Sequence, residues 1–123
     1  MSIHFSGLSV GLSYSGASVV PQHPSDPPRQ IARRGSSRFA WTDRGQGPCV
    51  LAVHGLPGSV RDFRWLGTSL EPRLRFVRLD MPGFGQTSVE LAGPSHLERA
   101  THLLRVADHL EIDRFVVLAH SFG

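Results

Sequence analysis

The sequence predicts an α/β fold, a mostly parallel sheet with helices on its faces. Three observations predict it. From residue 49 onward, short apolar runs alternate with stretches of helical period, in the order strand, helix, strand, helix, strand, and this alternation belongs to a parallel sheet. The runs at 49–53 and 115–118 are apolar at every position, as strands covered on both faces are. Each of the three runs is followed by a Gly-containing loop, and in open α/β sheets ligands gather at the carboxyl ends of strands.

Residues 1–28 are rich in Ser, Gly and Pro and show no sustained period. They read as a disordered or targeting-like leader, with the folded domain expected over 29–123. A basic segment followed by an apolar one is missing, so a secretory signal is not expected. The Ser-rich, acid-poor composition has a transit-peptide character. A cytoplasmic chain is expected, with organelle import through residues 1–28 as the alternative. Cys49 is the only cysteine, which leaves no internal disulfide and fits a reducing compartment.

Residues 29–43 read as two short strands around Gly35-Ser36, the second alternating over 38–42 as a half-buried antiparallel strand does. Gly45-Gln46-Gly47-Pro48 is a turn. After the run at 49–53, Ser59 is placed to cap a helix, with Asp62 as its partner. Val60, Phe63, Leu66 and Leu70 keep helical spacing, Gly67 weakens that helix and Pro72 ends it. A strand follows over 74–79. Ser95-His96-Leu97-Glu98 is a capping box for a second helix. Leu97, Ala100, Leu104 and Ala107 form its apolar stripe, and Leu103, Val106 and Leu110 widen it. His96, His102 and His109 are expected on its solvated face.

The sequence pI is about 10.4, but the charge is localised. The net charge of +3 falls entirely in residues 1–40, where Arg29, Arg33, Arg34 and Arg38 face only Asp26; the remainder is balanced, and there is no lysine. A nucleic-acid groove needs a clustered basic face in the folded part, so no nucleic-acid partner is expected. No apolar run is long enough for a membrane span. The sequence contains no Gly-Lys-Ser/Thr phosphate loop, no third Gly of a dinucleotide fingerprint and no metal-ligand spacing, so neither cofactor nor metal is expected.

Three motifs carry the chemistry: His54-Gly55-Leu56-Pro57-Gly58, the Asp80-x-Pro-Gly-x-Gly loop at 80–85, and Ala119-His120-Ser121-Phe122-Gly123. In their order and spacing they resemble the α/β-hydrolase superfamily, over roughly residues 29–123. The resemblance implies the N-terminal half of that fold, without its C-terminal strands and cap. It also implies that the first buried strand lies beside the last. Ser121 would be the nucleophile on a tight elbow whose flanking residues must be small. Ala119 stands where the family usually has Gly. The backbone N–H groups of Phe122 and Leu56 would bind the oxyanion, and His54, Gly55, Pro57 and His120 would line the substrate site. Asp80 would stabilise its own turn, and the usual role of the His in this loop is to order it.

A His-Gly-x-Pro loop is also found in epoxide hydrolases and haloalkane dehalogenases, which use Asp as nucleophile. Ser at the elbow favours acyl transfer on an ester, thioester, amide or related bond of a small-molecule substrate. In this superfamily the acid and the catalytic His follow the Ser, and neither follows here. The chain as given is therefore expected to be a truncated serine hydrolase, inactive alone. The alternative is a non-catalytic α/β fragment acting as an interaction module.

Overall fold

A computed structural model describes residues 2–5, 8–11, 23–91, 93 and 95–123. Near the N-terminus β1 (Ser2–Phe5) pairs antiparallel with β2 (Leu8–Gly11). The main sheet has five strands: β3 (Gln30–Arg34), β4 (Ser37–Arg44), β5 (Cys49–Val53), β6 (Arg75–Leu79) and β7 (Phe115–Ala119), in spatial order β3-β4-β6-β5-β7. β5 is parallel to both β6 and β7, whereas β4 is antiparallel to β3 and β6. The sheet is mixed, with its parallel part at β6-β5-β7. The expected adjacency of the first and last buried runs is present: Val53 is level with Ala119, so the loops that follow them leave the sheet side by side.

Helices α1 (Arg64–Leu70) and α2 (His96–His109) cover opposite faces. Alternation along the strands distributes their side chains between two cores. Leu51, Val53, Val77 and Leu79 pack under α2 with Leu103, Val106 and Ala107. Ala52 and Phe76 pack on the other face with Phe63 and Leu70. β5 is thus buried on both faces, as its unbroken apolar run requires.

Several local readings change. The first helical stretch starts as a 3-10 turn (Val60–Phe63) before α1, and Ser59 caps it by accepting from the Arg61 N–H at 3.2 Å rather than by pairing with Asp62. Gly67 is not merely a weak point, because a Cβ there would lie 2.3 Å from a guanidinium nitrogen of buried Arg78. Arg78 passes under α1 to Glu71 (2.6 Å) and Asp26 (3.4 Å). Asp26 also holds Arg64 at 2.9 Å and Arg61 at 3.3 Å. Residues 1–28 thus include the β1–β2 pair and Asp26, whose ionic partners lie 35 or more residues away. β4 does not alternate simply, since Ala40, Trp41 and Thr42 are all buried. Its centre is flanked by β3 and β6.

The capping box is present. The Ser95 hydroxyl accepts from the Glu98 N–H. The Glu98 carboxylate in turn accepts from the Ser95 hydroxyl at 2.6 Å and from the Ser95 N–H at 3.2 Å, and these two bonds, the hydroxyl's first, hold that carboxyl below its ordinary range. The stripe expected to pack is displaced around α2. His102, Leu103, Val106 and Ala107 face the sheet, while Leu97 and Leu104 are 78 % and 53 % exposed. A stripe that wide cannot itself say which part meets the sheet. His102 is correspondingly in the core and not on the solvated face.

Candidate active site

The loop after β5 is held from beneath by His54. The ring is fully buried, and its Nε2 accepts from the Met81 N–H at 3.0 Å. The proton therefore sits on Nδ1, which donates to the Gly55 carbonyl at 2.7 Å. With no exposed surface and both nitrogens engaged, His54 does not line a substrate site, and that expectation is corrected. It ties the loop after β5 to the loop after β6, the ordering role.

Asp80, also fully buried, does the same from the other side. One carboxylate oxygen accepts from the Val60 N–H at 2.9 Å. The other accepts from the Gln86 N–H at 3.0 Å and from Arg29 Nε at 2.7 Å. One side chain thus fixes its own turn, the 3-10 turn below the first loop, and the entry to β3. Gly85 (φ +53) is required beside it, because a Cβ there would lie 2.2 Å from the carboxylate.

These two loops support the turn after β7. The His120 N–H donates to Val53 O at 3.1 Å, and the Gly123 N–H closes the turn on His120 O at 3.0 Å. Ser121, between them, has φ +58. That left-handed conformation costs a non-glycine residue roughly 1–2 kcal/mol, and such strain is retained where the surroundings over-determine it. The surroundings are tight. A Cβ on Gly55 would lie 2.9 Å from Ser121 Cβ, and one on Gly123 would lie 2.5 Å from Val53 O. Small residues at 55 and 123 are what let the loop and the turn meet, and the Ser121 side chain stands exposed at the junction.

The other expected site residues surround this junction. Pro57 and His120 are exposed, and His120 borders a hollow shared with Asp62, Trp65 and Leu118. On the opposite side an apolar groove runs between α2 and β7, lined by Leu104, Val117, Ala119 and Phe122. The Leu56 and Phe122 N–H groups donate no hydrogen bond among the described residues. The Phe122 ring is held by His96 (centroids 5.0 Å apart) and by the Arg99 guanidinium 5.1 Å above it. Arg99 was not marked by any motif, and His96 only as a position inside the capping box; the start of α2 beside the turn is what brings them there. No His among the described residues is bonded to a carboxylate.

This frame, with its sheet order and strained Ser, is that of an α/β hydrolase. The α/β hydrolase fold family matches residues 48–123, and the chain belongs to that family. A solved α/β hydrolase fold protein from Burkholderia ambifaria superposes with a TM-score of 0.73 and 29 % identity, over 83 % of this chain and 38 % of its own. The dihydrolipoyllysine-residue acetyltransferase component of the acetoin cleaving system of Cupriavidus necator is 32 % identical over 95 residues, 76 % of this chain and 25 % of that protein. Haloalkane dehalogenase 2 of Mycobacterium bovis is 31 % identical over 87 residues, 70 % of this chain and 30 % of its own. The chain thus spans about a quarter to a third of the curated relatives it matches.

Proposed function

We propose that this chain carries the nucleophile half of a serine hydrolase acting on an acyl bond of a small molecule. The observation that carries the proposal is Ser121 at φ +58 on a turn pressed against Gly55. Such a turn projects Oγ away from the sheet edge, where a carbonyl carbon can reach it. Oγ adds to that carbon and its proton passes to a general base. The carbonyl electrons move onto oxygen, and the Leu56 and Phe122 N–H groups are the donors for that oxyanion. Collapse expels the alcohol, thiol or amine with a proton from the same base, and water reverses the sequence to free the Ser. One such donor is worth about 2.7–4 kcal/mol in the transition state.

The base and its carboxylate partner come, in this proposal, from a longer product. The coverage of the relatives supports this, as does the absence of a His–carboxylate pair among the described residues. A carboxylate nucleophile is not available at the elbow, which argues for esters or thioesters over epoxides and haloalkanes. The test is to express the reading frame as far as it continues and to assay p-nitrophenyl acyl esters beside an epoxide and a haloalkane. Ester hydrolysis lost in Ser121→Ala is the expected result. Turnover of the epoxide or haloalkane without ester hydrolysis would overturn the acyl-bond reading, and a frame that supplies no further Asp or Glu and His would favour the second reading, a non-catalytic α/β module.

A further inference from the structure

Away from Ser121, on the far flank of α2, the tip of the β3–β4 hairpin and the C-terminal half of the helix enclose a pocket of about 290 Å³. Its rim carries Arg33 and Arg34 from β3 and Arg105 from α2, against one carboxylate, Asp108. Its wall is apolar, with Phe39, Leu91 and Val106, and His102 lies in its floor. We propose that this pocket binds an organic anion, a carboxylate or phosphomonoester carried on an apolar body the size of one aromatic ring.

Three observations support it. The first is uncompensated charge. Neither Arg33 nor Arg34 is in a salt bridge among the described residues, and residues 1–22 contain no Asp or Glu that could supply one. The second is the wall. Phe39 stands edge-on to His102 (6.3 Å) and His109 (5.1 Å), and an engineered cavity of roughly 150 Å³ already holds benzene. The third is the floor. His102 is 2 % exposed, and its Nε2 has no hydrogen-bond partner. A buried polar atom left unpaired in a pocket floor is a point where ligand binding can be felt.

The electrostatics make the proposal readable. Burial, then the charge of Arg105 and, more weakly, Arg99, hold the His102 imidazole down to about 4, against a bond to the Asp80 backbone that raises it. Asp108 and His109 on α2 and Arg33 and Arg34 on β3 are the other charged or titratable groups at the pocket. An anion between the arginines offsets the positive field on His102, so its imidazole must become easier to protonate when the pocket fills.

The experiment is an NMR titration of the full chain with phenyl phosphate, benzoate, inorganic phosphate and phenol, following the His102 ring. Saturable binding of phenyl phosphate or benzoate, an upward shift of the His102 titration, and weaker binding of phenol and inorganic phosphate are expected. Whichever of the first two binds tighter identifies the anion. Arg34→Gln and Arg105→Gln, both at exposed positions, should each weaken binding by about tenfold, and Ser121→Ala should leave it unchanged. No saturation at millimolar ligand, affinity unaltered in both Arg variants, or an unmoved His102 titration would overturn the proposal.

Discussion

At the scale of single residues, the site depends on side chains that are absent as much as on those present. Gly55 is the clearest. Substituting Ala puts a methyl 2.9 Å from Ser121 Cβ and 3.1 Å from His120 O, so the elbow and the loop must separate by several tenths of an ångström. Misplacement on that scale costs reactivity more than stability, because a reacting geometry tolerates little displacement. In a longer product with the proposed esterase activity, Gly55→Ala is expected to lower kcat/KM for an acyl ester by up to about a hundredfold, measured by steady-state kinetics. His102 gives a second test at this scale. Its folded-state value of about 4 lies below the ordinary 6.5, so the unfolded chain takes up the proton first as pH falls. Its contribution is intact above pH 6.5 and is lost progressively between 6.5 and 4, in total on the order of 3 kcal/mol. Urea denaturation across that range should show the fall, and His102→Gln should flatten it.

At the scale of elements, α2 ends in a way the sequence does not advertise. The Ile112 N–H bonds Ala107 O at 2.9 Å and the Glu111 N–H bonds Asp108 O at 3.1 Å, the paired bonds of a Schellman cap. The residue in the left-handed position, Glu111 (φ +55), is not glycine. Glu111→Gly is expected to stabilise the protein by about 0.5–1 kcal/mol, seen as a raised thermal midpoint; an unchanged or lowered midpoint would speak against this cap. Elements that rest on local pattern were legible in the sequence: the doubly buried β5, the Ser95–Glu98 box, the hairpin around Gly35. The side of α2 that packs was not. Leu97, Ala100, Leu103, Leu104, Val106, Ala107 and Leu110 cover too wide an arc for period alone to choose among them. The tight turn at Ser121 was legible for the same local reason, since its small-residue frame is contiguous. The links that hold it, His54 to Met81 and Asp80 to Val60 and Arg29, join residues 20 to 51 positions apart and leave no trace in spacing.

At the scale of the whole molecule, Asp26 ties the segment before the expected 29–123 domain to its helices and sheet. Asp26 sits among Arg61, Arg64 and Arg78, and Arg78 is almost fully buried. Asp26→Ala leaves that guanidinium with Glu71 alone, and a loss of about 1–3 kcal/mol is expected in chemical denaturation. No described helix is long and apolar enough to cross a membrane. The sheet displays β7 at one edge, with Val116 66 % and Val117 49 % exposed, beside the apolar groove that adjoins Ser121.

We propose Ser121 as the activated nucleophile of a longer product of this reading frame. The most direct test is mass-spectrometric mapping of a fluorophosphonate adduct on the longest product of the reading frame. A stoichiometric adduct on Ser121, absent from Ser121→Ala, is the predicted result. An adduct confined to other residues, or none at Ser121, would contradict it.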